Sequence, residues 1–161
     1  SPLIVEISQF SRPVLRATIR PSLEGAQDLE DIIIAVAHLK SKGPMSLDWE
    51  DQKDFDVRRN RITLGYALST IRRAAESAAL RILLDEWTGR NNSPVVLLGD
   101  LNDSANSVTT SMIQGTARYR LFESSGIGGK SDKGMYAVST LQQLRRQREV
   151  YYTYLNEGSH E

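Results

Sequence analysis

The chain contains no cysteine, which excludes a disulfide framework, a thiol nucleophile and a thiolate metal site. The redox compartment stays open, because secreted proteins need not carry disulfides. No apolar run approaches the roughly 20 residues that span a bilayer. There is also no net charge, since 20 Lys and Arg balance 20 Asp and Glu among 161 residues. A neutral chain exerts no global pull on nucleic acid, so any polyanion binding must come from a local patch. The opening Ser-Pro-Leu-Ile-Val has neither an initiator Met nor the basic stretch of a signal peptide, and it is not read as one. Internal repeats and low-complexity tracts are missing too. What is present, 40% hydrophobic and 25% charged residues, is the composition of one soluble globular domain with a modest core. Cytoplasmic and secreted locations both remain open.

Coarse patterning gives strands, one long helix, then strands and shorter helices. Leu3 to Ile7 and Val14 to Ile19 read as paired strands, with Ser11-Arg12-Pro13 among the turn residues between them. Pro21 to Gln27 reads as a loop, Ile32 to His38 as a buried strand, and Gly43 to Asp56 as a polar surface loop. From Ile62 to Trp87, apolar residues recur at Leu64, Ala67, Leu68, Ile71, Ala74, Ala75, Ala78, Ile82 and Leu83, helical spacing with one buried face. Arg72, Arg73, Glu76 and Arg81 fall largely elsewhere around it, and Gly89 is expected to end it. Further on, Ser107 to Gln114 reads as a helix capped by Asn106. Arg118 to Glu123 reads as a strand, Val138 to Gln147 as a helix and Glu149 to Leu155 as a Tyr-rich strand. Such an alternation predicts a layered α/β (α+β) architecture.

The most informative stretch is Val95 to Asp103, Val-Val-Leu-Leu-Gly-Asp-Leu-Asn-Asp. A buried strand there runs into Gly99, which permits close approach of backbone or substrate where the core stops. Alternation then puts Asp100 and Asn102 on one side of the strand's end. A carboxylate beside an amide at such a mouth is a plausible reaction centre, although Asp and Asn after a strand also commonly bond their own backbone in a turn. A second segment, Asp31 to Lys42, ends a strand in His38 and adds Lys40 and Lys42 at the same rim. Imidazole changes charge near neutral pH, which suits it to protonating a leaving group or bonding a phosphoryl oxygen.

These segments resemble the endonuclease/exonuclease/phosphatase superfamily, the deoxyribonuclease-I-like metal-dependent phosphodiesterases. In its bacterial members a strand ends in His-Leu-Lys-Ser-Lys, matched by His38 to Lys42. An Arg- and Ala-rich helix follows, matched by Arg72 to Arg81, and then a strand ending Gly-Asp-(Phe/Leu)-Asn-Asp, matched by Gly99 to Asp103. Tyr152 to Tyr154 is similar to the strand before the family's last catalytic segment. The likeness runs in the family's order from about Val14 onward. It implies a β-sandwich flanked by helices, deoxyribonuclease-I-like but incomplete at both ends, so that residues 1–161 form a single partial domain. The family's Asn-bearing first strand, its metal-binding Glu and its final Asp-His and Ser-Asp-His segments have no counterpart in the sequence. His160 does not match the catalytic His and reads as a solvated tail residue, and Glu157 and Glu161 do not match the metal-binding Glu.

For the intact protein the resemblance implies a hydrolase acting on phosphodiester bonds, nuclease-like, with Mg²⁺ or Mn²⁺ as cofactor. In that scheme Asp100 positions or deprotonates water, Asn102 donates to phosphoryl oxygens, and His38 bonds the phosphate or assists the leaving oxygen. Lys40 and Lys42 bind substrate, Asp100 and Asn102 are secondary metal ligands, and Asp103 braces the loop. This chain would then be an inactive piece of the enzyme. The alternative is a non-catalytic phosphate- or partner-binding module with the same fold. A third reading, a nucleotide site on Gly126 to Ser131, lacks the first P-loop glycine, because position 124 is Ser124, and Asp132-Lys133-Gly134 is a poor helix start. Arg58, Arg59 and Arg61, and Arg145, Arg146 and Arg148, either contact phosphates or form solvated helix faces. Tyr151, Tyr152 and Tyr154 either stack on bases or pack in a core. DNA, RNA, lipid head groups and inositol phosphates all remain eligible substrates. An incomplete sandwich leaves strand edges bare, so self-association through those edges is expected.

Overall fold

The computed structural model describes residues 5–22, 29–48, 53–91, 94–115 and 134–146, together with residues 155–156 and 159–160. It is a mixed α/β structure. Strands β1 (Leu15–Ile19), β2 (Ile32–His38) and β3 (Val95–Asp100) form one sheet in that spatial order. Helices α1 (Phe55–Arg59) and α2 (Arg61–Asn91) intervene before β3. After β3 come α3 (Val108–Gln114) and α4 (Val138–Arg146), then the short pair β4 (Leu155–Asn156) and β5 (Ser159–His160).

The Ile- and Val-rich β2 is the centre of the sheet because its backbone pairs on both sides. It runs antiparallel to β1, with Leu15 opposite Val36, and parallel to β3, with Ile33 opposite Val95 and His38 opposite Asp100. The parallel step from β2 to β3 needs a long crossover, and α2 supplies it. The expected pairing of Leu3–Ile7 with Val14–Ile19 does not form. Residues 5–7 are not in a strand, and the partner of β1 is β2.

One face of this sheet meets α2 and α3. Ala37 and Leu39 pack there with Leu80, Leu84 and Ile113, and Phe10, Trp87, Leu97 and Met135 close round them. Arg16, on the same side of β1, lies over the Trp87 ring at 5.8 Å from its centroid. The opposite face carries Leu15, Val36 and Leu98 in one row across the three strands, with Val96 and Ile19 beside them, all exposed. The expectation of β2 and β3 as strands buried on both faces is therefore corrected. Among the described residues a single layer covers the sheet, so alternate side chains stay in solvent.

Helix α2 departs from its expected face. Leu80 and Leu84 are fully buried, whereas Ile71 is 47% and Ile82 68% exposed. The residues against the sheet and its rim are Gly65, Ser69, Arg73, Glu76, Ser77, Leu80 and Leu84, a stripe advancing three or four residues at a time. Small side chains in that stripe admit close approach. The loop after β2 lies directly on Gly65, where Met45 N–H donates to the Gly65 carbonyl at 3.0 Å and an added Cβ would strike Met45 O. Nor does α2 stop at Gly89. It continues to Asn91, because one glycine costs a helix only about 1 kcal/mol, and it ends just ahead of Pro94, whose ring disfavours helical geometry before it. Helix α3 is capped by Ser107 rather than Asn106, since the Ser107 hydroxyl accepts the Thr110 N–H at 3.2 Å. The expected strand at 118–123, the loop at 126–131 and Tyr151 to Tyr154 lie outside the described residues. Of the strand expected at 149–155, Leu155 falls in β4, and His160, expected in a solvated tail, falls in β5.

Gly99 marks the point where β3 meets its neighbour most closely. Its φ is +123°, and a Cβ built on it would collide with the backbone carbonyl of Ala37. Neighbouring backbone, then, is what approaches this glycine. Gly99→Ala is expected to destabilise the fold by more than about 2 kcal/mol, through the strained φ and the lost fit of β2 on β3. Urea unfolding checks this, and an unchanged midpoint would show that the strand pair tolerates a side chain there.

Candidate functional site

The ends of parallel strands in open α/β sheets are where ligands commonly bind, and the sequence candidates converge at the ends of β2 and β3. His38 and Asp100 are register partners there. Their side chains lie on the sheet's open side, 47% and 62% exposed, with His38 Nε2 3.9 Å from Asp100 Oδ2. That separation is beyond a direct hydrogen bond and leaves room for one oxygen atom to contact both groups.

The two carboxylate oxygens of Asp100 have different surroundings. Its Oδ1 accepts the Asn102 backbone N–H at 2.8 Å, the turn that Asp after a strand commonly makes. Its Oδ2 faces His38. Asn102 has left the extended conformation, with φ at +53°, and its Nδ2 donates to the Leu39 carbonyl at 3.0 Å. Because Leu39 N–H in turn donates to the Asp100 carbonyl at 3.0 Å, the two strand ends are laced together. Asn102 thus serves first as a brace, with its amide oxygen and one amide hydrogen left over.

The two lysines do not converge on this pair. Lys40 Nζ folds back on its own loop, donating to the Ser41 hydroxyl at 3.1 Å and to the carbonyls of Ser41 and Gly43 at 3.4 Å. Lys42 Nζ lies 3.9 Å from Asp103 Oδ1. Asp103 turns the other way from Asp100, into a polar network beneath the rim. It accepts from Thr109 Oγ1 at 2.6 Å, Ser104 N–H at 3.1 Å and Arg73 Nε at 3.2 Å. Burial pushes the Asp103 carboxyl up, but these hydrogen bonds outweigh it and hold the group below its ordinary range.

The sequence reading missed the residue that supports the rim from below. Glu76 is 2% exposed. One carboxylate oxygen accepts the Ser11 N–H at 2.7 Å and the Arg72 Nε at 3.3 Å, and the other accepts the Lys40 N–H at 2.7 Å. Arg73, also buried, reaches the Lys40 carbonyl at 3.3 Å. Together they hold both backbone polar groups of Lys40, two residues beyond His38. The signal for this lay in the spacing Gly65, Ser69, Arg73, Ser77, a ladder of mostly small residues whose close packing brings the charged ones beneath the strand ends. Burial also pushes Glu76 up, and the hydrogen bonds from Ser11, Lys40 and Arg72 again win, leaving its carboxyl below the usual range.

Among the described residues no three His, Asp or Glu side chains converge as metal ligands. The rim offers one outward carboxylate oxygen, Asp100 Oδ2, which falls short of a cation cage.

Both depressed carboxylates stabilise the fold in their charged form. That contribution is complete above their unfolded pKa values and is lost as pH falls through the lower folded ones, from about pH 5 downward. Glu76→Gln is expected to flatten this acid limb, and Glu76→Ala to destabilise by about 3 kcal/mol by stranding two backbone donors and a guanidinium. Urea midpoints measured between neutral and acidic pH check both, and an acid limb unaltered by Glu76→Gln would remove Glu76 from the account. Compared with known proteins, the chain matches no family model, no curated protein and no solved structure, and its function is read from the site itself.

Proposed function

We propose that the rim at His38, Asp100 and Asn102 belongs to a phosphodiester-hydrolysing site of the endonuclease/exonuclease/phosphatase type. The observation that carries this reading is the facing of His38 Nε2 and Asp100 Oδ2 across 3.9 Å at the ends of two parallel strands. An oxygen held between them meets an acceptor on one side and a titratable donor on the other. Asp100 Oδ2 orients a water and takes its proton as it attacks phosphorus, while its Oδ1 is fixed by the Asn102 N–H. His38 stands where a phosphoryl or leaving oxygen gains charge, and the spare amide hydrogen of Asn102 adds a neutral donor. The ammonium groups of Lys40 and Lys42, engaged with loop acceptors and Asp103, contribute positive potential at the rim instead of direct contacts.

A divalent cation, Mg²⁺ or Mn²⁺, belongs to the reading as Lewis-acid help for the phosphate. The described carboxylates do not complete its site, and no step above depends on it. A second sheet laid on the open row of Leu15, Val36 and Leu98 would give the deoxyribonuclease-I-like sandwich, with His38 and Asp100 at its border. Among the described residues only Asp100 Oδ2 points outward as a carboxylate at the rim, and a second reading is that the same rim binds a phosphate group without cleaving it.

Hydrolysis of bis(p-nitrophenyl) phosphate with Mg²⁺, with Mn²⁺ and with EDTA, by a protein carrying this chain extended at both ends, separates the two. Metal-dependent turnover that falls at least about 100-fold in Asp100→Ala and in His38→Ala supports the catalytic reading. Turnover indifferent to both substitutions, or its absence under every condition, overturns it and leaves the binding role.

A further inference from the structure

The junction of α1 and α2 carries three arginines within four residues, and they do not spread over a helix face. Arg58, Arg59 and Arg61 line one open concavity of about 500 Å³, whose other walls are Phe55 and Ile62. Phe55 is 64% exposed, and the Arg58 guanidinium sits over its ring at 5.9 Å from the centroid. None of the three guanidinium groups forms a hydrogen bond or an ion pair with a side chain among the described residues. Among the described residues, the carboxylates beside them in sequence do not neutralise them. Asp54 is occupied capping α1 through the Asp56 and Val57 N–H groups, and Asp56 pairs with none of the three. An exposed aromatic ring ringed by unpaired guanidinium groups in a concave surface is how single-stranded nucleic acid is held, with bases on the ring and phosphates on the cations.

The patch and the rim are joined through one loop. The loop leaving β2 lies along the first half of α2, where Ser69 Oγ donates to the Gly43 carbonyl and Met45 N–H donates to the Gly65 carbonyl at 3.0 Å. At 1.5 Å per residue, Arg61 lies about 18 Å along α2 from Arg73, which grips the Lys40 carbonyl and Asp103 under the site. We propose that Phe55, Arg58, Arg59, Arg61 and Ile62 form a docking site for single-stranded nucleic acid, placing a strand along α2 toward His38 and Asp100. The proposal names the substrate class of the phosphodiester reading and rests on it for the strand's destination. The concave shape favours a nucleotide over a bilayer, which exposed Phe and Ile among arginines would enter from a protruding tip.

The test is fluorescence anisotropy of labelled oligothymidylate with the whole chain over a salt series, read without turnover. Replacing the three arginines together, R58Q, R59Q and R61Q, is expected to make the slope of log affinity against log salt shallower by about 2, from three lost phosphate contacts at about 0.7 each. Phe55→Ala is expected to weaken binding about tenfold. Thermal melts coinciding with the parent chain show that these exposed substitutions leave the fold intact. An unaltered salt slope in the triple variant overturns the proposal, as does absence of oligothymidylate binding by the parent chain. Preferential binding of phosphatidylserine vesicles, lost in the same variants, also overturns it and makes the patch a membrane contact. Failure of diester hydrolysis leaves the anisotropy result intact, so the two readings fail separately.

Discussion

The carboxylate of Glu76 is the interaction on which the rest of this structure depends. It is buried, which by itself would cost several kcal/mol, and it is kept charged by backbone N–H groups of two remote segments and one guanidinium. Those segments are the residues before β1 and the residue two beyond His38. A single side chain on α2 thereby sets where the chain enters the sheet and where β2 ends. Arg73, one turn earlier, does the same for Asp103 after β3. The helix is therefore joined to the strand ends by charge-assisted hydrogen bonds at the rim and by Leu80 and Leu84 farther along.

This division of labour explains the geometry of the candidate site. Inward-facing polar groups, Glu76, Arg73, Asp103 and Thr109, are spent on holding backbone in place. Outward-facing ones, His38 and Asp100 Oδ2, are left with few protein partners. Asn102 sits between the two sets, since its amide ties β2 to the loop after β3. A rim whose exposed groups are few and whose supports are buried is held in one arrangement before any ligand arrives.

Much of the framework was legible in the residues. The run at 32–38 is a strand with the bounds expected of it, and the apolar run from Val95 is a strand too, although it ends at Asp100 and the extended alternation expected to reach Asn102 does not form. The long helix was legible as well. Asp103 was expected to brace the loop and does so, but not through alternation, because the extended chain ends at Asp100 and Asn102 turns away at φ +53°. The face of α2 was not legible. Its apolar and small residues are spread so widely around the axis that periodicity alone singles out no side. The choice was made by partners far along the chain, Ser11 and Lys40, which lie 65 and 36 residues from Glu76.

By itself, then, the sequence determined the local elements and the placing of a His and an Asp at strand ends. These follow from propensity and alternation, which act over a few residues. Tertiary structure alone decided that Glu76 and Arg73 point inward, that Asn102 folds back as a brace, and that Arg58, Arg59 and Arg61 share a hollow with Phe55. The first two outcomes turn on satisfying a backbone or charged group from a distant segment, and the third on how α1 meets α2. The energy of such a contact is recorded in no single stretch of sequence.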